Sequence, residues 1–215
     1  SVEEALSSLR FNMLRLAEEL HHAGINVNCA PVLDVLNADT HDAIGDRAFS
    51  DRPDLVARLA ISVCTQLLSA GITPVIKHLP GQGRAKTDSH KDLPRIETDL
   101  DILDKIDFEP FRIAVKSDVG PNLWGMVAHV VYTQIDDKPS SLSSSIIEDY
   151  IRGNIGFEGP LLSDDLDMDA LQDYGDVAVR ARLCLEAGCD IALYCSGKLE
   201  EMKKIAKTVP NLSQK

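Results

Sequence analysis

Thr73-Pro74-Val75-Ile76-Lys77-His78 is a short apolar run that ends on two polar residues and opens into Leu79-Pro80-Gly81-Gln82-Gly83-Arg84-Ala85-Lys86-Thr87-Asp88-Ser89-His90. No helix interior tolerates Pro-Gly-Gln-Gly, so the pattern predicts a strand that ends at a long irregular loop. From Lys77 to His90 the segment gathers two imidazoles, a carboxylate, two lysines and an arginine. Loops carried on a rigid scaffold are where chemistry concentrates. A polar surface loop with incidental charges reads equally well from this stretch alone, and the rest of the chain has to decide.

Working outward, Ala5, Leu9, Met13, Leu16 and Leu20 recur at helical spacing before Gly24, which predicts an amphipathic helix from about Val2 to Ala23. Ile25 to Val35 reads as a strand, Asn37 to Asp51 as a polar loop, and Pro53 opens a second helix that runs to about Ala70. Beyond the central loop the expectations are a helix over Asp99 to Ser117 and a strand covered on both faces over Trp124 to Tyr132. A helix capped by Ser143 or Ser144 then runs to about Arg152. A short strand at Leu161-Leu162, a helix over Asp176 to Ala187, a fifth strand over Asp190 to Cys195 and a helix over Leu199 to Val209 complete the series.

Strands that alternate with helices in this way argue for parallel βα units. Asp34, His78, His129 and Asp164 all fall at or near the C-terminal ends of predicted strands, where a (β/α)8 barrel assembles its active site. The fold expected is α/β, with parallel units of a TIM-type barrel in a single partial catalytic domain spanning residues 1–215. About five of the eight strands such a barrel needs are in the chain, so it is either a piece of a barrel or an open doubly wound sheet.

Composition narrows the function. The 34 acidic and 22 basic residues give a formal charge of −12, which argues against a nucleic-acid or anionic-membrane surface and suits a small-molecule ligand. Cys29, Cys64, Cys184, Cys189 and Cys195 form an odd set in mostly apolar surroundings, so buried thiols in a reducing, cytoplasmic compartment are expected rather than a disulfide framework. The chain shows neither a signal-peptide pattern nor an apolar run long enough to span a bilayer.

Asp88 and His90 are one residue apart, close enough for the carboxylate to fix the imidazole tautomer and leave the other nitrogen to shuttle a proton. An exposed His beside an Asp is the plainer reading of the same pair. Asp164, after Leu-Leu-Ser and before Asp165, suits a nucleophile or electrostatic stabiliser, while either aspartate suits a helix N-cap. Arg47 and Lys77 are candidates for hydroxyl or carboxylate recognition, Lys77 from within an apolar strand.

Lys77-His78-Leu79-Pro80-Gly81-Gln82-Gly83 followed by Thr87-Asp88-Ser89-His90 resembles the Lys-His-Phe-Pro-Gly-His-Gly and Asp-Ser-His signature of family 3 glycoside hydrolases, specifically the NagZ-type bacterial β-N-acetylhexosaminidases. Ala30-Pro31-Val32-Leu33-Asp34-Val35, Gly45-Asp46-Arg47-Ala48-Phe49, Ala128-His129-Val130, Gly156-Phe157-Glu158-Gly159 and Ser163-Asp164-Asp165-Leu166-Asp167-Met168 extend the likeness in order along nearly the whole chain. The resemblance implies a TIM-barrel enzyme that removes N-acetylglucosamine, with retention, from cytoplasmic muropeptides during cell-wall recycling. It also implies Asp164 as nucleophile, His90 paired with Asp88 as general acid/base, and Arg47, Lys77 and His78 as sugar-binding residues. A His-Asp pair then takes the place of the second carboxyl group that most retaining glycosidases use. No cofactor and no metal are expected, because no tight ligand spacing appears and the family pattern accounts for His78, His90 and His129 without one.

Two departures stand out. Gln82 occupies the place of the family's second histidine, and nothing matches the Val-Asp-Gln-Glu-Gly-Gly-Arg motif carried by an earlier strand of the family barrel. The missing motif and the strand count together predict a barrel that begins at about its fourth strand. Its active-site loop is then expected to be displaced or poorly ordered, and its open edges to be covered by self-association. A non-catalytic fragment or paralogue that binds a ligand or assembles is the alternative function.

Overall fold

The structure, a computed structural model, describes residues 2–210. Six short strands are built between helices: β1 (Val27–Asn28), β2 (Thr73–Leu79), β3 (Arg95–Ile96), β4 (Trp124–Val127), β5 (Val131–Tyr132) and β6 (Leu161–Ser163). The main helices are α1 (Val2–His22), α2 (Pro53–Ser69), α3 (Leu100–Ile102), α4 (Glu109–Val115), α5 (Val177–Ala187) and α6 (Leu199–Thr208). Strands β1, β2, β4 and β6 lie side by side in that order and run parallel, and Ile191 adds a fifth position through a parallel bridge to Leu162. Strands β3 and β5 form a separate parallel pair at the mouth.

The two faces of the main sheet differ, and the difference sets the architecture. Val75, Met126 and Leu162 line one face with Val27, Trp124, Ile191 and Leu193, whereas Ile76, Leu79, Val127 and Leu161 turn toward Val56, Ala60, Cys64, Phe111 and Ala114 of the helices. Helix α1 packs on α2 and α2 on α4 along that second face. Helices on one face and strand-borne apolar side chains on the other make a sheet curled into a half-barrel, an incomplete TIM-type barrel rather than a doubly wound sheet.

The predicted helices form close to their expected bounds. Gly24 follows α1 at φ +76°, and the Asp176 carboxylate accepts the Ala178 and Val179 N–H groups at the head of α5. Ser143 Oγ accepts the Ile146 N–H at 3.1 Å, so Ser143 is the cap of its helix. The helices predicted over 99–117 and 143–152 each contain a π-type stretch, Leu103–Asp107 and Ile146–Asn154.

The strands are shorter than read. Pro31, with no N–H to give a ladder, limits the first to Val27–Asn28 plus one bridge at Val32. The strand predicted over 124–132 divides at Ala128-His129-Val130, and its second part pairs with β3. The fifth strand is reduced to the Ile191 bridge. Cys64, Cys184 and Cys189 are buried free thiols as expected, but Cys29 and Cys195 are exposed, just beyond β1 and in the segment that follows the Ile191 strand position. No described helix is long and apolar enough to cross a membrane.

Candidate active site

The ends of neighbouring strands bring the predicted polar residues together. Asp34 is fully buried, and its carboxylate accepts the backbone N–H of His78 (3.2 Å) and of Gln82 (2.7 Å) while Oδ2 lies 2.7 Å from His78 Nδ1. Because an ionised carboxylate only accepts, Nδ1 of His78 carries a proton. Asp34 thus fixes both the ring of His78 and the first turn of the long loop, a role that its position in an apolar run, Val32-Leu33-Asp34-Val35, signals but does not specify.

His129 is also fully buried, with Nε2 3.0 Å from the Asp165 carbonyl and Nδ1 2.7 Å from Ser141 Oγ. The carbonyl can only accept, so the proton sits on Nε2 and the Ser141 hydroxyl donates to Nδ1. Burial lowers the pKa of this imidazole and keeps it neutral, as a prop beneath the Asp164-Asp165 corner.

Asp164 stands just beyond β6, partly buried. Burial pushes its carboxyl up, yet the pull of His78, His129, the Asp165 N–H and Lys77 outweighs it and holds the group below the usual aspartate value. The Asp165 N–H, which donates to Asp164 Oδ1 at 2.8 Å, is the hydrogen-bonded part of that effect. An ionised, partly desolvated carboxylate at a barrel mouth can act as a nucleophile or stabilise a developing cation. Asp165 turns away, accepting the N–H groups of Asp167 (3.2 Å) and Cys195 (3.0 Å), and caps no helix. The helix cap that either aspartate could have supplied is Asp176.

Asp88 and His90 are paired. Asp88 Oδ1 accepts the His90 N–H (3.0 Å) and lies 2.8 Å from His90 Nδ1, and these two bonds, the backbone one first, hold Asp88 below the usual carboxylate range. The His90 side chain is 66% exposed, so the ring faces solvent with Nε2 free to meet a ligand. The loop is tied to the scaffold at Gly83, Ala85 and Ser89. Gly83 O accepts from Asn37 Nδ2 and Thr40 Oγ1, both at 2.7 Å, the Ala85 carbonyl accepts the His41 N–H, and the Ser89 carbonyl accepts the Ala170 N–H from the segment that follows Asp164. A side chain on Gly83 would meet the Val35 carbonyl oxygen at 1.9 Å, so glycine here lets the loop lie on the scaffold rather than swing free.

Arg47 is placed differently from the others. Its guanidinium bonds the Ala43 carbonyl, and it shares with Lys77, Cys29, Pro31 and Phe49 an apolar cavity of about 300 Å³ beside β1. Sequence reasoning missed the ion pair between Arg84 Nε and Asp107 Oδ2 (2.7 Å), in which Asp107 is buried and raised to about 6 by that burial against the pull of Arg84. It also missed the Tyr132 hydroxyl, which donates to the Gly81 carbonyl. Both partners of these contacts are far apart in the chain. The only local signals were Arg84 within the loop and Tyr132 at the end of an apolar run.

Comparison with known proteins establishes the family and the fold. The chain is 38% identical over 181 residues to a beta-hexosaminidase of Nitrosomonas eutropha, covering 84% of this chain and 51% of that protein. It is 37% identical over 206 residues to one of Xanthomonas campestris pv. campestris, covering 95% and 61%. It therefore spans about half to three-fifths of the length of these curated relatives. Among solved structures, native NagZ from Neisseria gonorrhoeae superposes with a TM-score of 0.85 at 35% identity, over 99% of this chain and 60% of that one. A family 3 β-N-acetylglucosaminidase from Paenibacillus sp. str. FPU-7 gives 0.85 at 31% identity, over 97% and 38%. The model of the glycosyl hydrolase family 3 N terminal domain matches residues 11–215, and the chain belongs to that family of glycoside hydrolases, with NagZ-type β-hexosaminidases among its relatives.

Proposed function

We propose that this chain forms the catalytic part of a retaining β-N-acetylhexosaminidase that releases terminal N-acetylglucosamine from cytoplasmic muropeptides in peptidoglycan recycling. One observation carries the reading: Asp164 stands at the end of β6 with its Oδ1 accepting the Asp165 N–H at 2.8 Å, on the sheet whose loop bears the Asp88–His90 pair. Asp164 attacks the anomeric carbon to form a glycosyl-enzyme. His90, oriented by Asp88, protonates the departing oxygen and then takes a proton from the incoming water. Replacing the usual second carboxyl group by an imidazole supplies an acid suited to neutral pH without a second bare charge beside the nucleophile. Arg47, Lys77 and His78 hold the sugar.

Nothing on the described side of β1 opposite β2 completes the wall of the mouth. Misplacement of a substrate by about an ångström costs on the order of a hundredfold in rate, so turnover by the 215-residue polypeptide on its own is expected to be slow. Leu16 of α1, 39% exposed, lines the cavity beside β1 with Cys29 and Pro31 and supports self-association as cover. The test is release of 4-nitrophenol from its β-N-acetylglucosaminide by the purified chain. Turnover that Asp164→Ala abolishes and a chelator leaves unchanged is expected. Absence of turnover with retained sugar binding would favour a ligand-binding module instead.

A further inference from the structure

Gln82 lies where the family signature has histidine, and its surroundings give it a place in the site. It is 4% exposed, its carbonyl accepts the Ala85 N–H at 3.0 Å, and two further bonds tie it to the site. Its backbone N–H reaches Asp34 Oδ1 at 2.7 Å, alongside His78, and its side-chain Nε2 reaches Ser89 Oγ at 3.2 Å across the neck of the loop. Ser89 is the residue between Asp88 and His90, and it is buried while His90 is exposed. It is also held from its other side, where its carbonyl accepts the Ala170 N–H. Oε1 of Gln82 is buried without a hydrogen-bond partner among the described residues, so the Ser89 contact is the one bond there that its side chain makes.

We propose that Gln82 is a positioning residue for the Asp88–His90 pair, its side chain clamping Ser89 so that the loop carries the pair at a fixed height above the Asp34–His78 centre. The inference rests on the reading of Asp88 and His90 as the proton shuttle. An amide suits this duty, because it donates at every pH at which the enzyme could work, whereas an imidazole in the same place changes its donors as it titrates.

The clamp is tested without turnover by following the Asp88 and Asp164 carboxyl carbons of the 215-residue chain through a pH titration by NMR. Asp88 sits below the usual range because the His90 N–H and ring are held against it, with Lys91 a smaller help. Gln82→Ala is expected to raise the Asp88 titration point toward an ordinary aspartate value and leave Asp164 where it is. Ser89→Ala removes the other end of the same bond and should do the same, and the double variant should add nothing further. If both single variants leave Asp88 unmoved, or move Asp88 and Asp164 together, Gln82 is ordinary packing and the proposal is wrong. Where Asp164-dependent hydrolysis is measurable, Gln82→Ala should lower kcat about tenfold to a hundredfold with KM within about twofold. Absence of such hydrolysis would count against the glycosidase reading alone, since the titration decides the clamp independently.

Discussion

Asp34 offers the sharpest separation between geometry and charge. Its buried carboxylate receives three donors: the N–H groups of His78 and Gln82 and Nδ1 of His78. In Asp34→Ala all three lose their acceptor in a site closed to water. At about 1–3 kcal/mol for each buried donor left unmade, and allowing for partial relaxation, the loss is about 3–6 kcal/mol, a large part of the roughly 5–15 kcal/mol that holds a domain folded. Asp34→Asn keeps the shape. Its amide oxygen can still accept both backbone N–H groups, while its NH2 replaces Oδ2 opposite the ring. Nδ1 of His78 must then accept and the ring proton move to Nε2. The cost is the charge-assisted part of one bond, about 1–2 kcal/mol. Urea unfolding should rank wild type, Asp34→Asn and Asp34→Ala in that order. The nitrogen shifts of the His78 ring should report the protonated nitrogen changing from Nδ1 to Nε2 in Asp34→Asn. Equal destabilisation by the two variants, or an unchanged tautomer, would refute the reasoning.

Gly83→Ala places a methyl 1.9 Å from the Val35 carbonyl oxygen, with backbone on both sides of the clash, and should cost about 3 kcal/mol by thermal denaturation and free the loop to proteolysis. Asp107, pushed by burial to about 6 from 3.8, keeps its proton in the folded chain at pH values where the unfolded chain has lost it. That contribution is therefore present in full below about pH 4 and is lost as pH rises through 6, about 3 kcal/mol in all, and unfolding curves for Asp107→Asn at pH 4 and pH 7.5 should lack this part of the decline. Asp176→Ala removes the cap that holds two N–H groups of α5 and should lower the melting temperature by about 2–4 °C, measured by circular dichroism.

The helices were legible because each carries its own punctuation. Gly24, Pro53, Ser143, Asp176 and Gly188 mark ends that the structure keeps within one or two residues. Strand lengths were not legible, since an apolar run such as Trp124 to Tyr132 says that it is buried and not which neighbour it pairs with. There the chain leaves β4 for β3 at Ala128-His129-Val130, where His129 turns its ring under the Asp164-Asp165 corner. The local pairing of Asp88 with His90 was readable from spacing. Contacts between distant positions were beyond it: Asp34 with His78 over 44 residues and Arg84 with Asp107 over 23. The Pro-Gly-Gln-Gly run was legible as a strand end opening into an irregular loop, but not the close approach of Gly83 to the Val35 carbonyl, which only a residue without a side chain permits.

How half a barrel can assemble these residues follows from register. Leu79, Val127 and Ser163 form one row across β2, β4 and β6, and Val32 bridges to Lys77 on the other side of β2. Asp34 and His78 lie at the level of that row, and His129 and Asp164 follow within two residues of it. Adjacent strands are about 4.8 Å apart, so side chains at one level on neighbouring strands meet without help from any other part of a barrel. The row is complete within β2, β4, β6 and the Val32 bridge, all of which lie between residues 32 and 163. What four strands cannot supply is a wall on the far side of the mouth, where Arg47 and Lys77 line a shallow apolar cavity beside the open edge of β1. The carboxylate, its charged neighbours and the loop that carries the imidazole depend on packing inside the half-barrel. In the function proposed, the grip of Arg47 and Lys77 on a sugar is made at this open side of β1. Covering that edge should therefore tighten binding while leaving the titration of Asp164 and Asp88 where it is.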